Sequence, residues 1–142
     1  MAQNLILLPV FAQVLLAVLT MVVLIVRRQV SLKTRGKSVQ DMADATDADW
    51  DHAAAKTSRN FKNQFELPVL FYAVTAFALV TRNVDLTFFV VASIFVASRF
   101  AHTGAHLFTD NVMVRGLTFI VGFVALIIMW IALAWRILVV GF

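Results

Sequence analysis

The stretch LILLPVFAQVLLAVLTMVVLIV, residues 5–26, decides the fold class. Its 22 residues carry no charge, which is enough helix to cross a hydrocarbon core of about 30 Å. Pro9 stands near its start, where a proline is best tolerated in a helix. No small-residue cleavage pattern follows, so the run is read as a retained span. The composition of the rest agrees. The chain has 142 residues, one domain's worth, of which 61% are apolar and 14% charged. A soluble domain has nearer a quarter of its residues charged. The mean hydropathy is +0.88. There is no cysteine, so disulfides and thiolate ligands of its own are excluded. The net charge of +4 reads as a membrane-face signal rather than a nucleic-acid footprint.

Working outward, three more spans follow, at about 59–81, 84–107 and 114–140. The connection 27–58 holds Arg27, Arg28, Lys33, Arg35, Lys37 and Lys56. The link between the second and third spans holds one cation, Arg82. This asymmetry predicts that 27–58 is cytoplasmic and both termini are not. Four spans with short links predict an all-α, integral membrane, antiparallel four-helix bundle in a single domain. The acidic part of the connection, residues 41–51, lacks the glycine and terminal glutamate of a calcium loop. The "GKS" at 36–38 lacks the earlier glycine of a phosphate loop. Both are read as solvated connection with some helical turns.

The second span opens on RNFKNQFELP, residues 59–68. Arg59, Asn63 and Glu66 are spaced i, i+4, i+7 and share one face of a helix. Lys62 stands four residues before Glu66. Phe61 and Phe65 lie on another side, suited to lipid or a neighbouring helix. Pro68 frees a backbone carbonyl and is expected to bend the helix. The third span ends on a second stripe, Arg99, His102 and His106, again one face. Arg115 opens the fourth span at the same membrane depth. Six cations, Arg27, Arg28, Arg59, Lys62, Arg99 and Arg115, thus face Glu66 alone. Charges inside spans are costly and mark pairs or hydrated cavities. A structural ion-pair network around Glu66 is the plain alternative; the cation excess favours an anionic partner, lipid or ligand.

These stripes resemble the signature of the MAPEG family, the membrane-associated proteins in eicosanoid and glutathione metabolism. That pattern is Arg, Asn, Glu and Pro on the second helix, here Arg59, Asn63, Glu66 and Pro68. On the third it is Arg-x-x-His-Thr-x-Ala-Tyr, here Arg99, His102, Thr103 and Ala105, with His106 in place of the tyrosine. An arginine opens the last span, here Arg115. The resemblance implies a left-handed bundle assembled as a homotrimer, with a site between protomers near the cytoplasmic face. It implies glutathione as co-substrate and no metal. Arg59 would take the tripeptide's carboxylates, Glu66 its amino group, and Asn63 and His102 would support it. Arg27 or Arg28 would reach in from the neighbouring subunit, and Arg115 would stabilise the thiolate. Lys62, Arg99 and His106 are supporting candidates. The implied activity is glutathione S-transferase-like, or peroxidase-like, on a lipophilic small molecule drawn from the membrane. Gly116 and Phe119 depart from the pattern, where relatives carry hydroxyls. The alternative is a non-catalytic scaffold or accessory subunit that keeps the fold without glutathione chemistry. Two other readings carry less: a metal held by His102, His106 and Glu66, and a transporter, for which no paired broken helices are seen. The short form points to a bacterial inner membrane.

Overall fold

The computed structural model describes residues 3–140; the first two and last two residues, and with them both termini, lie outside it. A 3₁₀ turn at Gln3–Ile6 leads into α1, Leu7–Arg35. The connection carries two short 3₁₀ turns, Gln40–Met42 and Asp47–Asp49, and then α2, His52–Lys62. A third 3₁₀ turn, Asn63–Phe65, precedes α3, Leu67–Val80. Helices α4, Leu86–Phe108, and α5, Val112–Trp135, complete the bundle, and a π turn continues α5 over Arg136–Val140. Four helical segments are long and apolar enough to cross a membrane: Gln3–Arg35, His52–Val80, Leu86–Phe108 and Val112–Val139.

The helix ends follow from local chemistry. Gly36 closes α1 in the left-handed region, at φ 61°, where a residue without Cβ is unstrained. Asp51 caps α2 by accepting from the Ala54 N–H, and Asp85 caps α4 by accepting from Phe88. Asn111 caps α5 through Met113 and Val114. The apolar runs understate the helices. α1 continues nine residues beyond Val26, about 13 Å, because the basic stretch after it is a good helix former. α2 begins seven residues before Arg59, inside what reads as the connection.

α4 and α5 form the principal pair. Gly122 makes their approach close: a Cβ there would lie 2.5 Å from the Ser98 Oγ. α3 packs on α5, and α1 packs on α2 and α4. The core is a ladder of Phe71, Val74 and Ala78 from α3, Phe88, Ala92 and Phe95 from α4, and Leu126, Met129 and Leu133 from α5. Phe71 and Phe95 stack with centroids 4.6 Å apart. The buried line on α1 is Pro9, Gln13, Leu16, Thr20 and Leu24. These residues are spaced by three and four, one stripe of a helix. Leu8, Phe11, Leu15 and Val18 on its other side are exposed, as a lipid-facing surface requires.

The stretch before Pro68 is more than bent. The helix stops at Lys62, tightens into a 3₁₀ turn, and leaves helical geometry at Glu66, with φ −97° and ψ −98°. Pro68 then sits in the first turn of α3, where its missing N–H costs nothing. The expectation of one continuous helix from 59 to 81 is therefore corrected. The second crossing is two helices with a break between them.

Candidate functional site

The break sorts the polar side chains of 59–66. Asn60 and Gln64 turn inward and are fully buried; Arg59 and Glu66 stay exposed, and Asn63 lies between. The buried pair joins a chain of side-chain hydrogen bonds across three helical segments. Gln13 Nε2 of α1 donates to Gln64 Oε1 at 3.0 Å. Gln64 Nε2 donates to Thr103 Oγ1 of α4 at 3.1 Å. Thr103 Oγ1 donates at 3.5 Å, a long contact, to Asn60 Oδ1. In hydrocarbon such groups have no water to turn to, so the chain holds α1, the break and α4 in register. Sequence reasoning passed over Gln13, Gln64 and Thr118. Each is uncharged, and only the wheel position of Gln64, four after Asn60, hinted at a buried pair.

Asn63 and His102 come together. Asn63 Nδ2 lies 3.3 Å from His102 Nε2, and His102 Nδ1 lies 3.0 Å from the Arg115 carbonyl oxygen. A carbonyl only accepts, so Nδ1 carries the proton and Nε2 is left to accept from the Asn63 amide. This assignment follows from the hydrogen-bond network. The neutral imidazole thus ties the break to the first turn of α5. It also leaves Asn63 Oδ1 unengaged among the described hydrogen bonds. Thr118 Oγ1 lies 3.3 Å from the same Nδ1 and donates to the Val114 and Arg115 carbonyls.

Arg99 is wholly buried, and none of its three nitrogens has a hydrogen-bond partner. Its guanidinium lies 5.5 Å from the Phe119 ring, within cation–π range. Phe119 also stands 5.9 Å from His102. The ion pairs are Lys56–Asp110, Lys62–Asp47 and Arg136–Asp85 among the described residues. Among the described residues Glu66 thus enters no ion pair within the chain. Arg59, Arg115 and Arg99 are all outside those pairs. His106 is buried with Nδ1 unpartnered, its ring 5.8 Å from that of His102.

The remaining candidates are engaged elsewhere. Lys62 pairs with Asp47 of the connection at 2.8 Å. Arg27 donates to Thr57 Oγ1 at 2.8 Å and to the Ala53 carbonyl, both on α2 of its own chain. Arg28 lies over the Trp50 ring and makes a long bond to Ser58. Among the described residues no group of three His, Asp or Glu side chains is placed to hold a metal. His102 is a poor ligand in any case, since both its nitrogens are engaged.

The fold, the two polar stripes and the arginine at the head of α5 now stand together, and a family model, the MAPEG family, matches residues 6–135. The chain belongs to the MAPEG family. With four membrane-crossing segments it is a multi-pass membrane protein. No curated protein and no solved structure gave a match. Of the MAPEG signature residues, the structure links Asn63, His102 and the Arg115 carbonyl by hydrogen bonds. It also sharpens the departures. At 116 there is open space rather than a side chain. At 119 a phenyl ring covers Arg99. The hydroxyl that the chain does carry nearby, Thr118, spends its proton on backbone carbonyls.

Proposed function

We propose that the protein is a glutathione-dependent transferase acting on lipophilic electrophiles at the membrane face where the polar ends of its helices gather. One observation carries the reading: Asn63 at the break is held by His102, which also bonds the Arg115 carbonyl at the head of α5, and no ion pair among the described residues engages Arg59, Glu66, Arg99 or Arg115. Such a cluster suits a zwitterionic, net anionic peptide. Arg59 is exposed and free to take its carboxylates. Glu66, exposed and unpaired, suits its ammonium group. Asn63 is held by His102 with its carbonyl oxygen free, which suits a peptide N–H. The residues present therefore fit glutathione. Arg27 or Arg28 of an adjacent copy would complete the site in a homotrimer, as the family resemblance implies.

The chemistry follows from Arg115. A guanidinium beside a thiol favours the thiolate, and the thiolate is the nucleophile. It attacks an electrophilic carbon, the new C–S bond forms, and the leaving group departs as its anion. The same thiolate would reduce a lipid hydroperoxide by attacking its terminal oxygen: the O–O bond breaks, the lipid alkoxide takes a proton to leave as the alcohol, and the glutathione sulfenic acid reacts with a second glutathione to give the disulfide and water. The acceptor arrives through the bilayer, since the helices expose apolar faces along their length. A bacterial inner membrane with the 27–58 connection in the cytoplasm would place the site where glutathione is found.

The test is thermal. Millimolar glutathione is expected to raise the melting temperature in detergent, and Arg59→Ala or Glu66→Gln is expected to abolish the rise. Arg115→Ala is expected to keep the protection and lose conjugation of a dinitrohalobenzene. A second reading, a scaffold or accessory subunit without glutathione chemistry, is favoured by Gly116 and Phe119, which remove the family's hydroxyls. Absence of any glutathione-dependent shift would select it.

A further inference from the structure

At the basic end of α1 the chain builds a second cleft, of about 400 Å³. That is within the usual size of a ligand site, about 300–1,000 Å³. One wall is the α1 face of Ile25, Arg28, Gln29 and Leu32, spaced i, i+3, i+4, i+7. The other is the returning connection, with Val39, Met42, Ala43 and Trp50. The connection is pinned in place: Arg35 donates to the Asp49 carbonyl at 2.8 Å, and the Asp51 N–H donates to the buried Ser31 hydroxyl.

Arg28 is the one cation in these walls, and among the described residues no carboxylate pairs with it. Its described hydrogen bond is the 3.5 Å contact to Ser58, and its Nε is buried without a partner. The Trp50 ring lies 4.9 Å from its guanidinium carbon, and Trp50 Nε1 is likewise buried without an acceptor. Of the acids on the connection, Asp44 is exposed and four others are engaged. Asp41 accepts from Ser38, Asp49 from Thr46, and Asp51 from the Ala54 N–H, while Asp47 pairs with Lys62. The serine and threonine bonds hold the Asp41 and Asp49 carboxyls below their ordinary pKa, so these groups stay ionised where they are. Two orphaned donors on one stacked pair call for an acceptor bearing negative charge.

The site's depth names the source. Arg28 follows the charge-free run by two residues, about 3 Å along the helix, where lipid phosphates lie. The rest of the lining is almost wholly apolar, and Ile25 and Val39 are exposed beside it, so the ligand has an apolar part. We propose that this cleft binds an anionic phospholipid, its phosphate on Arg28 and Trp50 and the top of its acyl chain against Ile25, Leu32, Val39 and Met42. Trp50 is the movable part: its ring must shift from the guanidinium for the headgroup to reach the buried donors. This cleft shares no lining residue with Arg59, Asn63, Glu66, His102 or Arg115; with Arg28 taken by lipid, Arg27 is the arginine that an adjacent copy would offer in the glutathione reading.

The experiment uses the full chain in detergent, mixed with phosphatidylglycerol or phosphatidylcholine, and reads retained lipid by native mass spectrometry. Phosphatidylglycerol is expected to be retained preferentially. Arg28→Gln is expected to weaken its retention about tenfold, the scale of one charge-assisted bond. Arg27→Gln should leave the preference in place. Ala43→Phe, which fills the cleft from an exposed position and keeps the charge, should also displace the lipid. A second readout places the lipid. In a Trp130→Phe/Trp135→Phe background, phosphatidylglycerol brominated near the headgroup should quench Trp50 more than the brominated choline lipid. Equal retention of the two lipids, or retention indifferent to both Arg28→Gln and Ala43→Phe, overturns the proposal. So does stabilisation by inorganic phosphate alone equal to that by the lipid, which would make the ligand a soluble anion. Lipid of neither kind reaching Trp50 would mean that another part of the assembly covers the cleft, and would overturn it too.

Discussion

Replacing Gln64 by leucine tests whether the buried amide chain is what sets the helices in register. Gln64 is 1% exposed and Gln13 0%. The substitution removes the 3.0 Å bond from Gln13 and the 3.1 Å bond to Thr103. Hydrogen bonds between membrane helices are worth about 0.6 kcal/mol on average and at most about 1.7, so the two together are worth about 1–3 kcal/mol. Gln13 is then left with nothing: its Oε1 already lacks a partner, and its Nε2 loses the only one described. An orphaned buried amide costs a further 1–3 kcal/mol or so. Leucine recovers part of this by burying apolar surface, which leaves a net loss of about 2–3 kcal/mol. Gln13→Leu alone should cost less, because Gln64 keeps Thr103. The double variant should be less damaged than the sum of the singles, by about 1–2 kcal/mol, since it leaves no amide stranded. Reversible unfolding in mixed detergent and SDS measures all four corners of the cycle. Additive single effects, or a Gln64→Leu chain as stable as the parent, would refute the reasoning.

Three further outcomes are expected. Gly122→Ala places a methyl 2.5 Å from the Ser98 hydroxyl and should destabilise by about 1–3 kcal/mol; Ser98→Ala in the same chain should restore most of the loss, as read by the same unfolding assay. The Lys56 ammonium bonded to Asp110 holds that carboxyl below its ordinary value of 3.8. The folded pKa is depressed, so the pair's contribution is fully present above that ordinary value and is lost as pH falls through the lowered one; acid melting curves of Asp110→Asn should lack this component. On the glutathione reading, His102→Phe frees the Asn63 amide to turn. It should raise the glutathione concentration needed for half-maximal thermal protection about tenfold, the equivalent of about 1.4 kcal/mol.

How much of this was legible beforehand depends on which physics each feature obeys. The membrane class and the helical bundle follow from runs such as 5–26, because the cost of charge in hydrocarbon dominates every other term. The family signature is legible because Arg59, Asn63, Glu66, His102 and Arg115 are rare residue types in such a setting. The arrangement of 59–66 was legible only in part. Pro68 marks the place where the helix yields, but a wheel drawn through it assumes continuous register. Asn60 is buried by α2 itself, and the 3₁₀ turn after Lys62 places Gln64 inward beside it. The pairing of Lys62 with Asp47 and of Lys56 with Asp110 depends on how the connection and the α4–α5 link fold back. Sequence spacing holds no information on that. Gln13 was invisible for a different reason. A lone glutamine in an apolar run has no period, and its partner lies 51 residues away.

The break at 63–66 also separates two kinds of sequence freedom. In an unbroken helix, inserting one residue turns everything beyond it by about 100°. Here α3, which meets lipid and the core ladder, is joined to the site-bearing turns through a segment that does not transmit helical phase. An insertion or deletion at the break would be absorbed there, leaving Phe71, Val74 and Ala78 of α3 in the core and Asn60 and Asn63 on α4. The membrane-anchoring part of the second crossing can thus change in length, to suit bilayers of different thickness, without moving the polar side chains at its mouth.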